Sequence, residues 1–202
     1  MAQVTHFQRQ ASHDDLVERA RQLVPQLRQR MKEMDQLGDL PKATIQELQD
    51  AELFQLTIPR IYGGHQVDMR TYMDVVTEIG RGDTSTAWTV AIINGANWMA
   101  ATIFPEETQQ EVFGTPGGAR VTGVLAPRQC TLQRVDGGYL IEEGKWGFNS
   151  GSYHSNWVEL GIPLLNERGE VVDQGLALLP AQDVERLNDW NVIGMQGSSE
   201  GW

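Results

Sequence analysis

The chain has 202 residues, 40% of them hydrophobic and 21% charged, a balance that fits a packed globular protein and excludes a disordered or fibrous one. Its formal net charge of −11 would repel a nucleic-acid backbone, and no Lys/Arg-rich run offsets that repulsion. Cys130 is the single cysteine, which excludes an internal disulfide framework and a Cys-based zinc site and suits a reducing, cytoplasmic setting.

The amino terminus, Met1 to Gln10, lacks an apolar targeting core, and no apolar run reaches the roughly 18 residues that a membrane span requires, so a soluble protein is expected. From Ser12 the pattern is helical. Ser12 can cap, Asp14 and Asp15 suit the positive end of the dipole, and Leu16, Ala20, Leu23 and Leu27 repeat on one face. Pro25 is expected to kink this helix. Pro41 opens a second helix with Ile45, Leu48 and Ala51 inward. Phe54 to Pro59 reads as extended, and Tyr62-Gly63-Gly64 as a turn whose glycines permit positive φ.

Asp68 to Ile79 and Ser85 to Ile103 read as helices, the second apolar on most sides and therefore central. A further helix opens at Pro105-Glu106-Glu107 and ends at Phe113-Gly114. Thr115-Pro116-Gly117-Gly118 is the best boundary, dividing a helical domain over 1–115 from a β domain over 116–202. Beyond it the period becomes strand-like at Val121 to Leu125, Thr131 to Val135, Tyr139 to Ile141, Trp146 to Ser150, Trp157 to Ile162 and Gly175 to Leu179. Asp136-Gly137-Gly138 and Asn166 to Gly169 supply hairpin turns. The expected fold is α+β: an all-α domain followed by an antiparallel sheet or small barrel.

Several chemistries find no support. The four histidines show no paired spacing, so no metal site is expected. Ser150 lies outside a Gly-x-Ser-x-Gly elbow, and Gly194 to Ser199 lacks the Gly-Lys-Ser/Thr of a phosphate loop. Cys130 has no visible activator and reads as inert. His154 reads as a hydrogen-bonded loop histidine, although histidine near neutral pH can also carry protons. His6, His13 and His65 are expected to face solvent.

The run Gly144-Lys145-Trp146-Gly147-Phe148-Asn149-Ser150-Gly151-Ser152-Tyr153-His154-Ser155-Asn156-Trp157 joins alternating strand character to flat aromatic and hydrogen-bonding groups. On alternation alone, Trp146, Phe148 and Ser150 share one face and Gly147 and Asn149 the other. Trp146 and Phe148 would then be core residues, or one wall of a binding site. The run resembles the Gly-x-Trp-x-Phe-x-Ser-Gly-x-x-His-x-x-Trp pattern of the acyl-CoA dehydrogenase superfamily, in its flavin-dependent monooxygenase branch. Ile58-Pro59-Arg60-Ile61-Tyr62-Gly63-Gly64, Asp83 to Trp88, Phe104 to Gln109 and Trp190 to Ser199 are similar, in order, to further segments of that branch. At Trp202 this sequence stops where the family continues into more strands and a four-helix bundle, which the resemblance gives the catalytic base and the tetramer contacts.

The resemblance implies an oxygenase that takes reduced FMN or FAD from a partner flavin reductase and uses O2 to oxygenate a small organic substrate, as a homo-oligomer when full length. It implies flavin contacts from Trp146, Phe148, Asn149 and Ser150 and from backbone near Val124 and Leu125, and leaves the catalytic residues unknown. One alternative is an acyl-CoA dehydrogenase-type FAD enzyme, against which Thr122 to Cys130 lacks the Thr-Glu-Pro-x-x-Gly-Ser-Asp pattern. Another is a truncated, non-catalytic interaction module that associates through exposed apolar surface.

Overall fold

The computed structural model describes residues 11–187 and 192–198. Among these residues five α-helices come first: α1 (His13–Leu37), α2 (Lys42–Asp50), α3 (Met69–Gly80), α4 (Thr84–Ile103) and α5 (Glu106–Phe113). Five strands follow: β1 (Val121–Val124), β2 (Gln129–Val135), β3 (Gly138–Lys145), β4 (Trp157–Leu165) and β5 (Val171–Pro180). The mixed helix-and-sheet class is as the sequence implies. Trp190 and Ser199, within the last family-like segment, lie outside the described residues, as does His6.

Local chemistry sets the helix ends. Ser12 accepts from the Asp15 amide at 3.2 Å while its own amide donates to the Asp15 carboxylate at 2.9 Å, closing a capping box on α1. Gly38, at φ 64°, ends the helix in the left-handed region that glycine enters without penalty. Asp68 and Asp83 cap α3 and α4 by accepting from the amides of Thr71 and Thr86 at 2.7 and 2.6 Å. α1 runs through Pro25 as one element. Pro25 is exposed, so the carbonyl it leaves unbonded faces water.

Phe54 to Pro59 forms no strand; it is a compact loop closed by backbone bonds from His65 to Gln55, Gln66 to Ile58 and Val67 to Leu56. Asn94, wholly buried on α4, accepts from the Leu56 amide and donates to the Leu53 carbonyl, giving this buried backbone the partners it needs. A methyl at Gly64 would lie 2.2 Å from the Ile58 carbonyl oxygen, so only glycine fits there.

Three apolar clusters hold the molecule. Leu16, Leu27, Leu48, Phe54, Ile79 and Ile93 form the helical core. Ile58, Ala96, Ala100, Phe113, Val121 and Trp157 fasten α4 and α5 to the sheet. Leu132, Trp146, Val158, Leu160 and Ile162 fill the space between the sheets. Each fully buried aliphatic side chain contributes about 1.5–3 kcal/mol.

Among the described residues the strands make two sheets and no closed barrel: one in the order β1-β4-β5, the other the β2-β3 hairpin. An antiparallel arrangement was expected throughout, yet β1 runs parallel to β4, with Val121 opposite Trp157 and Val124 opposite Leu160. A parallel pair needs a long crossover, and the β2-β3 hairpin with the 146–156 segment supplies it. The second correction falls on Trp146 to Ser150, expected as a strand, which is irregular.

Candidate functional site

Strand β3 ends at Lys145, whose carbonyl accepts from the Arg128 amide at 2.8 Å. The next residues part company instead of alternating. Trp146 turns inward, 3% exposed, and its indole N–H donates to the Gly161 carbonyl at 2.9 Å. Its ring occupies the place a side chain at Gly144 would take, 2.1 Å from a methyl there. Phe148 adopts φ 64°, a rare conformation for a bulky residue, and this reversal turns its ring outward to 67% exposure. The Arg128 guanidinium stands 5.1 Å from the ring centroid, within cation–π range. The expected shared face of Trp146, Phe148 and Ser150 therefore does not form, because the left-handed residue between them breaks the two-residue period.

Asn149 and Ser150 turn back inside. Ser150 Oγ accepts from the Trp88 indole N–H at 2.8 Å, which ties the segment to α4. Gly151, at φ 77°, donates its amide to the Ser198 carbonyl at 2.9 Å. A methyl at Gly151 would lie 3.1 Å from the Thr89 methyl and 3.6 Å from that of Thr122. Around this glycine the Thr89, Thr122 and Ser152 hydroxyls and both amide atoms of Asn149 are buried without a hydrogen-bond partner among the described residues.

The far end of the segment is fastened to the helices. His154 Nε2 lies 2.8 Å from Asp39 Oδ1, the His154 carbonyl accepts from Arg120 Nε at 2.6 Å, and Arg120 Nη1 donates to Gln49 Oε1 at 2.9 Å. His154 is thus the bonded loop histidine the sequence suggested. His65 differs from expectation: it is buried, 3.3 Å from a Glu52 oxygen, and desolvation lowers its pKa. Burial pushes the half-buried Cys130 thiol up, away from a reactive thiolate. Among the described residues no group of three His, Cys, Asp or Glu side chains could hold a metal ion.

Of the two positions singled out here, Val124, the last residue of β1, is half-buried against the inter-sheet core, and Leu125, just beyond it, is 57% exposed. Leu125 lines a cleft of about 170 Å³ with Pro127, Arg128, Cys130 and Ile162. The arrangement is a surface strip. Trp88, 44% exposed, stands over Ser150; Phe148 follows with Arg128 against it, and Arg128 leads into the cleft beside Leu125. Trp146, Asn149 and Ser150 lie beneath, buried. Sequence reading missed Trp88, submerged in a helix apolar on most sides, and Arg128, which follows an Ala-Pro turn with no motif of its own.

The family model of the acyl-CoA dehydrogenase N-terminal domain matches residues 10–116. The chain belongs to this family. It is 34% identical over 176 residues to the flavin-dependent monooxygenase oxygenase subunit HsaA of Rhodococcus jostii (strain RHA1), covering 87% of this chain and 45% of that relative. The chain spans about half the length of the curated relatives it matches. Among solved structures, the HsaA monooxygenase from M. tuberculosis superposes with a TM-score of 0.87 at 30% identity, over 95% of this chain and 52% of that one. XiaF from Streptomyces sp. in complex with FADH2 and glycerol superposes with a TM-score of 0.86 at 31% identity, over 94% of this chain and 48% of that one. The acyl-CoA dehydrogenase-like fold and the likeness to flavin-dependent monooxygenase oxygenase components thus extend over both the helical and the strand segments.

Proposed function

We propose that this chain forms the flavin-facing half of an oxygenase component in a two-component, flavin-dependent monooxygenase, with a helical domain over 1–115 and a β domain over 116–202. The observation that carries the reading is the superposition of 94% of the chain on XiaF, whose structure holds FADH2. The end of the family match at residue 116 supports the domain division.

The residues present fit a flavin ring in chemistry. A planar, largely apolar ring with a polar edge needs a flat wall and nearby hydrogen-bonding groups. Phe148, Trp88 and Leu125 offer exposed apolar surface along one strip, with Arg128 as a cation at its middle. Beneath it the Asn149 amide has neither donor nor acceptor satisfied among the described residues. Phe148, Trp88 and Leu125 would hold the ring and exclude water; Val124 and Trp146 would support that wall from behind; Ser150 and Asn149 would fix its polar edge. A bound reduced flavin would supply activation of O2 and transfer of one oxygen atom to a small organic substrate. A flavin reductase would deliver the cofactor, and a homo-oligomer in the cytoplasm is the assembly and setting this reading implies. Among the described residues no helix is long and apolar enough to cross a membrane. Ala126 before Pro127, where acyl-CoA dehydrogenases would place Glu, favours oxygenation over dehydrogenation of an acyl thioester.

The test is anaerobic equilibrium dialysis of oxidised and reduced FMN and FAD against the purified chain and its Phe148→Ala variant. Saturable one-to-one binding is expected, weakened about tenfold or more in the variant, whose fold should be intact because the ring is exposed. No saturable binding of any of the flavin forms would overturn the assignment.

A further inference from the structure

Glu159 is the third residue of β4, the central strand of its sheet, with 1% of its surface exposed and neither carboxyl oxygen hydrogen-bonded among the described residues. Its place is made by Gly123 of β1, its partner in register. A methyl at Gly123 would lie 2.8 Å from Glu159 Cβ and 3.5 Å from Oε2, so the acidic side chain lies across the β1 backbone in room that only glycine leaves. Two residues on, the same crowding recurs: a methyl at Gly161 would lie 1.8 Å from the Leu125 carbonyl oxygen. The chain leaving β1 thus crosses β4 on the face where Glu159 stands, since residues 159 and 161 point the same way.

Among the described residues no charge compensates the carboxyl; Arg128, on the chain leaving β1, has its guanidinium against Phe148 and Gly147. On the other side its partner in register is Leu178, packed in the cluster of Val121 and Trp157. β1 carries no titratable side chain and neither does α4, which packs on β1. The acid of β5, Asp173, pairs with Leu164 near the opposite end of β4. Cys130 and Arg134 belong to β2, which packs through Leu132 on the other face, against Val158, Leu160 and Ile162. A carboxylate without donors or a cation in such a place is costly, whereas the neutral acid is tolerated.

We propose that Glu159 is a protonation-dependent latch on the seam between β1 and β4, positioning Val124 at the strand end and Leu125 just beyond it. Neutral, it lets the seam close over it; ionised, it must reach water, and the short strand β1 is the element that gives way. Burial pushes its pKa up to about 7, which puts the transition in the neutral range. The sign follows from the raised value. The seam's stability is full below the ordinary carboxyl range and is lost as pH rises through the raised pKa.

Amide hydrogen exchange at residues 121–125, corrected for intrinsic rates, tests this on the intact chain without flavin, so the result stands apart from the flavin reading. Between about pH 6 and about pH 8, protection of these amides is expected to fall about tenfold or more while the β2-β3 hairpin stays unchanged, and Glu159→Gln should abolish the fall. Equal protection at both pH values in the parent chain, or the same fall in Glu159→Gln, overturns the proposal. Should that variant not fold, the infrared carboxylic-acid C=O band of the parent chain decides: it should be present at about pH 6 and lost by about pH 8, and its absence at the lower pH overturns the latch.

Discussion

Trp88 and Ser150 are joined by one hydrogen bond whose direction is fixed by chemistry. The indole N–H can only donate, so Ser150 Oγ accepts and its own hydroxyl hydrogen points elsewhere. Trp88→Phe keeps most of the ring and removes that donor; Ser150→Ala removes the acceptor. Each should lower stability to urea by about 1 kcal/mol, and the double variant should lose little more than either single one, because both delete the same bond. Full additivity in the double-mutant cycle would show that the two side chains act independently. Gly151, next in the chain, should tolerate nothing larger. Gly151→Ala places a side chain at φ 77° and 3.1 Å from the Thr89 methyl, and a loss of about 1–3 kcal/mol in urea unfolding is expected.

The same residues show what sequence could and could not tell. Phe148 and Ser150 were picked out by motif, but their directions were not, because one left-handed residue inverts the alternation that assigns faces. Gly63 was legible because its positive φ is a local turn requirement; the reason for Gly64, the Ile58 carbonyl, and that for Gly123, a side chain on another strand, were not.

At the scale of elements, α1 and α2 are bound by a paired ion bridge: Arg30 donates to both Glu47 oxygens at 2.7 Å, and its guanidinium also donates to Thr44 at 3.1 Å. Arg30 holds the Glu47 carboxyl below its usual range. The bridge therefore contributes stability above the unfolded carboxyl pKa and loses it as pH falls through the lowered value. Both side chains are partly exposed, 23% and 33%, so the contribution should be about 1 kcal/mol or less. Thermal melts of Glu47→Gln should lie below the parent at neutral pH and converge on it in acid; a constant offset at all pH values would assign the loss to packing. The helices themselves were legible because caps and a 3.6-residue period are local signals. The extended reading of Phe54 to Pro59 failed because the Gln55, Leu56 and Ile58 carbonyls accept from residues 65–67 in a compact loop, while Asn94, a helical residue far along the chain, takes the Leu56 amide.

For the whole molecule, sequence order foretold helices first and strands after, and the turns at Asp136 and Asn166 foretold both hairpins. It did not foretell that β1 would join β4 in parallel, since nothing in the period of either strand encodes a partner across the hairpin between them. That pairing governs the order of assembly. Neighbouring strands such as β2 and β3 close a short loop and can meet early, whereas β1 must await β4, which returns only beyond the hairpin and the 146–156 segment. The strand that Glu159 crosses is therefore expected to be the last of the sheet caught during folding and the first surrendered when the molecule breathes.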